Sequence, residues 1–373
     1  MKEKIKKPLK SPFDPERLTV KGWPNWEIWV AVIAIIISTA GLIIYQKNFR
    51  TFTSDDESSI DSNEVDQPSF VHNIFDWQRS ASVWGGRDSH ASVVFLDKMW
   101  VIGGKDANDK SANDVWSSSN GSSWNMVTEN NRWTDRSGHQ AVVFNGKIWV
   151  MGGITNDGYQ LNDIWSSSDG ITWTKELATA PWSARANFST VVFKDKLYLL
   201  GGWSNSSPQN GEFTNYNDVW ATADGINWSQ ITEDAGWDGR GYLSAYIHDE
   251  KIFVAGGMTL VPQQNFSSIY TSYDGAKWTK VGDLPESRSA ACVVSAGDRL
   301  YYIDGYNEKR AYNYSFYSDD GLNWLPTETN AYGPRRSFHT ALYFKNKIWM
   351  IGGTDLDTGR VNDLWSTEII GDK

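Results

Sequence analysis

Thiol chemistry is almost absent from this chain: its 373 residues include one cysteine, Cys292. No intramolecular disulfide can form, so stability must come from burial, and a single thiol leaves the redox compartment open. Basic charge is also short, 35 Lys+Arg against 45 Asp+Glu for a net charge of −10. That balance excludes nucleic acid as an expected partner, because phosphate binding needs a basic surface. Nucleophile-elbow, P-loop and Rossmann signatures are missing. What is abundant is tryptophan, 21 residues, together with 32 glycines. That pairing suggests a repeated aromatic-and-turn unit rather than a helical bundle.

One long apolar run covers residues 26–45, WEIWVAVIAIIISTAGLIIY. Twenty such residues at a helical rise span a hydrocarbon core of about 30 Å. Trp26, Trp29 and Tyr45 stand where interfacial aromatics belong. Seven cations lie between Lys2 and Lys21, whereas Lys47 and Arg50 are followed by Asp55, Asp56 and Glu57. The positive-inside rule therefore predicts a cytoplasmic basic tail at 1–25, a transmembrane helix at 26–45 in the lipid bilayer, and an exported remainder in the periplasm or at the cell surface. The rival is a signal peptide cleaved near Ser38-Thr39-Ala40, but the apolar run continues past that point. No cysteine follows the run, which argues against a lipoprotein. The polar, acidic segment 46–73 reads as a disordered linker.

From residue 84 onward the chain repeats. The arginines of W-x-x-R-x-x-H fall at 87, 136, 185, 240, 288 and 336, spaced 49, 49, 55, 48 and 48. An apolar run such as Ala141–Phe144 suits a buried strand, and Asn145-Gly146 a tight turn into Lys147–Met151. Gly152-Gly153 ends that second strand, where no side chain blocks close packing. Asn162-Asp163-Ile164-Trp165 opens a third strand. Asp169-Gly170 reads as a two-residue hairpin with positive φ tolerated at both positions, and Trp173 belongs to a fourth, outer strand. The fifth unit departs from the Gly pair with Asp304-Gly305. The sixth unit stops after its third strand, and Phe75-Asp76-Trp77-Gln78 supplies the matching piece at the other end. Residues 74–80 are thus expected to pair with 361–369 and close the ring.

A period near 50 with one Gly pair per unit, and paired aromatics such as Trp116/Trp124 and Trp165/Trp173, resembles the kelch repeat. The resemblance covers about three-quarters of the chain. It implies an all-β fold: a six-bladed β-propeller of four-stranded antiparallel blades over 74–369, preceded by the transmembrane helix. For function it implies little, since kelch propellers host binding scaffolds and enzymes alike. The turn is also similar to the Asp-box of sialidases, although here Asp169 and Gly170 are adjacent. A galactose-oxidase-like copper site needs a Cys–Tyr crosslink that Cys292, inside a strand, does not offer; no cofactor and no metal are expected.

Connectivity puts the loops between strands 4 and 1, and between 2 and 3, on one face, termed the top. The short turns lie on the bottom, where the tether is expected to enter, making the top membrane-distal. Six arginines near the top of the channel suit carboxylate or phosphate binding. The simpler reading pairs them internally, Arg87/Asp114, Arg136/Asp163, Arg185/Asp218 and Arg336/Asp363. Blades 4 and 5 carry Ser268 and Tyr314 at the Asp position, so Arg240 and Arg288 are the candidates for an anionic ligand. Trp84, Trp133, Trp182 and Trp237 stand three residues before their arginines and are candidate stacking platforms for a sugar; the alternative is that they plug blade junctions. Trp203 and Phe213, on the longest top loop, are candidate contacts. His90, His139 and His339 share the Arg+3 position, where a hydrogen bond to the neighbouring blade is favoured over a metal. The leading expectation is a non-catalytic module binding a glycan, peptide or protein by its top face. The alternative is an enzyme of the sialic-acid epimerase (mutarotase) type, which needs a general acid/base beside an anion-holding arginine.

Overall fold

Alternating apolar residues become strands wherever the repeat places them. In blade 2, Gln140–Phe144, Lys147–Met151, Ile164–Ser167 and Thr174–Leu177 pair in antiparallel order from first to fourth. Blades 1, 3, 4 and 5 repeat this order. The computed structural model describes residues 74–128, 133–205, 212–307, 311–329 and 333–369. The basic tail, the span expected at 26–45 and the linker at 46–73 lie outside the described residues. Among the described residues no helix is long and apolar enough to cross a membrane.

Blade 6 takes its fourth strand from the other end of the repeat region. Gln78–Ala81 pairs antiparallel with the third strand, Asp363–Glu368, in the register Gln78↔Ser366 to Ala81↔Asp363. Ile74–Phe75 does not continue that strand; it runs parallel to Glu328–Thr329 of blade 5. The expected closing strand is thus split. Its second half completes blade 6 and its first half staples blade 5.

Six hydrophobic clusters fill the six junctions between neighbouring blades. Trp84 sits in the junction of blades 6 and 1, Trp133 in 1 and 2, Trp182 in 2 and 3, and Trp237 in 3 and 4. All four indoles meet the outer-strand tryptophan of their own blade edge-on: Trp84–Trp124 at 4.7 Å, Trp133–Trp173 at 4.7 Å, Trp182–Trp228 at 6.2 Å and Trp237–Trp278 at 4.5 Å. Blade 6 has Gly333 at this position. There Phe75 supplies the ring, edge-on to Trp77 at 5.2 Å, in the junction with blade 5.

The bottom turns interlock with their neighbours. Ser167 Oγ accepts the Asp169 and Gly170 N–H groups, while Asp169 Oδ1 accepts those of Ile171 and Thr172. Only the glycine of the Asp-Gly pair adopts positive φ, +75° at Gly170. The turn is therefore held by side-chain hydrogen bonds rather than by two left-handed residues. A Cβ at Gly170 would lie 2.3 Å from the Trp100 indole of blade 1, so packing as well as φ requires glycine there.

Candidate functional site

The top of each blade is organised by its arginine. In blade 2, Arg136 Nη1 and Nη2 donate to Asp163 Oδ1 and Oδ2 at 2.8 and 2.9 Å, and Nη1 also donates to the Gly152 carbonyl at 3.0 Å. Arg87 with Asp114 and Arg185 with Asp218 repeat the bidentate fork. Arg336 places Nη2 on both oxygens of Asp363 and Nη1 on Asp355. The aspartate also accepts the indole N–H two residues on, as Asp163 does from Trp165 at 2.8 Å. The preceding asparagine ties the loop that carries the junction indole: Asn162 Nδ2 donates to the Ala180 and Trp182 carbonyls. Each letter of the N-D-x-W motif thus has a partner.

Blades 4 and 5 solve the same problem differently. Arg240 donates to Ser268 Oγ at 2.9 Å and to the Gly256 carbonyl, and its guanidinium lies 3.9 Å from the Phe266 ring centroid. Arg288 donates to the Asp304 and Tyr314 carbonyls and is packed by Tyr312 at 3.9 Å, Phe316 at 4.2 Å and Tyr314 at 4.6 Å. Among the described residues neither meets a carboxylate within 3.5 Å; Asp238 stands 3.9 Å from Arg240. Nη2 of each has no hydrogen-bond partner among the described residues. Both side chains are fully buried. Burial draws the Arg240 guanidinium down to about 10.

Two residues after each arginine the chain turns left-handed, at Ser89, Gly138, Asn187, Tyr242, Ala290 and Phe338, with φ between +51° and +60°. These six residues form a closed hydrogen-bonded belt. Each N–H donates to the carbonyl of the equivalent residue one blade back: Gly138 to Ser89, Asn187 to Gly138, Tyr242 to Asn187, Ala290 to Tyr242, Phe338 to Ala290, and Ser89 to Phe338, at 2.7 to 3.1 Å. Below this belt lies the central channel, a cavity of about 240 Å³ lined by all six first strands. At its mouth Tyr242 and Phe338 meet edge-on at 5.3 Å, and Tyr306 lies 5.3 Å from Phe338.

Of the three histidines at the Arg+3 position, His90 and His139 point toward the preceding blade. His90 Nε2 is 2.9 Å from Thr340 Oγ1 of blade 6, and the His139 ring lies where a Cβ on Gly103 of blade 1 would be. Burial first, then the nearby Arg136 charge, draws His139 down to about 3; burial and Arg336 do the same to His339. Both stay neutral at physiological pH. Among the described residues no group of three His, Cys, Asp or Glu could hold a metal ion. Cys292 donates to the His339 carbonyl, and burial pushes its thiol up to about 12.

Trp84, Trp133, Trp182 and Trp237 are each at most 4% exposed, inside the junctions. Trp203 is buried too, edge-on to half-buried Phe213 at 5.5 Å. The residues singled out from the sequence therefore do not converge on one open surface. Sequence reasoning missed Asp304. It occupies the place of the first glycine of the pair, and its carboxylate accepts the Arg336 backbone N–H at 3.2 Å and the Ser315 hydroxyl at 3.3 Å. Burial pushes its carboxyl up to about 7, against the opposing pull of Arg288. The signal was the break in the Gly-Gly pattern itself.

The comparisons agree with this geometry. A family model for the KLHDC2/KLHL20/DRC7 kelch-repeats domain matches residues 89–281. Mouse Kelch-like protein 40 is 36% identical over 67 residues, 18% of this chain and 11% of that protein. The solved structure of YjhT superposes with a TM-score of 0.64 at 15% identity, covering 79% of this chain and 97% of that one, a likeness of fold. Six blades with one Gly pair or its Asp-Gly variant in each, and a family match across half the sequence, lead to one conclusion: this chain belongs to the kelch-repeat propeller family.

Proposed function

We propose that this propeller is a non-catalytic binding module, held outside the membrane by residues 26–45, that takes a peptide or protein partner on its top loops. One observation carries the reading: the bottom and the top of the same frame differ in kind. The bottom Asn-Gly or Asp-Gly turn occurs five times with one hydrogen-bond scheme, as at Asn120, Asp169, Asp224, Asp274 and Asp320. The hairpins between strands 2 and 3 have six unrelated sequences, and they expose Tyr159 at 55% and Val261 at 61%. Variation placed on a rigid, self-satisfied scaffold is how recognition surfaces are built. A glycan remains the second class of ligand for the same face.

The enzyme reading draws on Asp304, a carboxyl held near neutrality beside Arg288. Asp304 is 1% exposed and does not line the channel cavity. That geometry favours binding over acid–base catalysis.

The test is a peptide-display and glycan-array screen with the full chain in detergent. Hits are then measured against a top variant, Tyr159→Ser with Val261→Ser, and a bottom variant, Ile171→Ser with Ile226→Ser. Loss with the top variant alone supports the reading; hits that respond only to the bottom variant contradict it. Membrane fractionation with and without residues 1–45 tests the tether, and a soluble full-length chain would refute it.

A further inference from the structure

The two faces differ in charge as well as in sequence. Every bottom turn between strands 1 and 2 adjoins a cation, at Lys98, Lys147, Lys196, Lys251, Arg299 or Lys347. These stand beside Asp97, Asp195, Asp249 and Asp298, and Arg299 is paired with Asp319 at 2.6 Å. Positive and negative charges alternate around the bottom and largely offset one another.

The top rim is compensated only in part: Asp109 pairs with Arg360 at 2.9 Å and with Lys105 at 3.6 Å, and Asp238 stands 3.9 Å from Arg240, whereas Asp157, Glu233 and Asp357 make no ion pair among the described residues. Asp109, Asp157, Glu212, Glu233, Asp238 and Asp357 are exposed on the hairpins and connecting loops of blades 1, 2, 3, 4 and 6. Asp109 and Asp238 have 72% and 75% of their side chains in solvent. Among the described residues of the top loops, Lys110 and Arg335 are the exposed cations. The arginine ring offsets only a small part of this charge, because four of its six members are matched by their own aspartates, which leaves Arg240 and Arg288 as its two unmatched cations. Charges at a rim around a concave mouth add their fields over the opening. Between the acids stand the apolar tips Tyr159 and Val261, and at the centre half-buried Tyr242 and Phe338 border the cavity.

We propose that the partner taken by the top face is a cationic polypeptide segment, rich in Lys or Arg, with apolar side chains that meet the hairpin tips. This rests on the binding-face reading above and adds the chemical class of the partner. The acidic rim steers and orients the segment, and the apolar tips supply contact area.

Fluorescence anisotropy with the full chain in a neutral detergent, using labelled oligolysine and labelled oligoglutamate as probes, tests it. A top variant carries Asp157→Lys, Glu233→Lys and Asp357→Lys. A bottom variant carries Asp195→Lys, Glu250→Lys and Asp298→Lys, so both change net charge equally. The proposal expects oligolysine to be preferred. It expects the top variant to weaken that binding by about tenfold, and the bottom variant to leave it within about twofold. Equal loss in both variants, or no preference for oligolysine, overturns it. A neutral peptide or glycan whose capture depends on Tyr159 and Val261, while oligolysine ignores the top charges, keeps the binding face and overturns the cationic class.

Discussion

Blades 1, 2, 3 and 6 hold their arginine with a carboxylate, whereas blades 4 and 5 hold theirs with aromatic rings. The backbone role is the same in both groups. In blades 1 to 5 the guanidinium reaches a carbonyl at the end of the second strand and fixes the top of the blade, while Arg336 of blade 6 uses Asp355 instead. The difference teaches that this position needs a planar cation with buried donors, and that two chemistries can hold it there. A bidentate carboxylate satisfies the donors. Stacked rings offset the charge but, among the described residues, leave Nη2 of Arg240 and Arg288 without a hydrogen-bond partner.

The comparison breaks most visibly at Asp163. Asp163→Ala strands Arg136 and removes the acceptor of the Trp165 indole, so stability should fall by about 3–5 kcal/mol in urea unfolding. Ser268→Asp sharpens it from the other side by rebuilding the blade 2 arrangement in blade 4. The midpoint should rise, by about 1–2 kcal/mol of stability; a fall would mean that the Phe266 and Tyr270 packing already satisfies Arg240.

Asp304 separates blade 5 further. Its folded-state pKa, about 7, lies above the ordinary 3.8, so the folded protein keeps a proton that the unfolded chain releases. Its contribution is therefore most favourable below about pH 4, declines as pH rises to about 7, and is constant above. Relative to wild type, Asp304→Gly should gain melting temperature at pH 8 and gain less at pH 5. An unchanged difference between the two pH values would contradict the buried acid.

The smallest effect separates two turns. Gly146→Ala meets only the strain of positive φ, with nothing within 4 Å of the added Cβ, and should cost about 1 kcal/mol. Gly170→Ala adds a collision with the Trp100 indole and should cost more in the same unfolding assay.

The frame was legible because each blade repeats a short code. Arginine spacing set the blade count, the Gly pairs ended the second strands, and N-D-x-W predicted the four ion pairs that form. Ring closure was readable from Trp77 standing at the interval of an outer-strand tryptophan. The split at Ile74–Phe75 was not, since it depends on Phe75 packing against Trp77 and Tyr301 in the junction of blades 5 and 6. The aromatic cradle of Arg288 was available at a strand period of two, with Tyr312 and Phe316 flanking Tyr314, but became visible only once the strands were placed. The channel belt had no residue signal: Ser, Gly, Asn, Tyr, Ala and Phe share only a backbone conformation, imposed by the neighbouring blade.

The central claim is that the arginine ring is structural and falls into two classes. Thermal unfolding of the six single Arg→Met variants tests it most directly. Arg87, Arg136, Arg185 and Arg336 should each lose several degrees, because a buried aspartate is left unpaired. Arg240 and Arg288, which are hydrogen-bonded to no carboxylate among the described residues, should each lose less. Six equal losses would contradict the account.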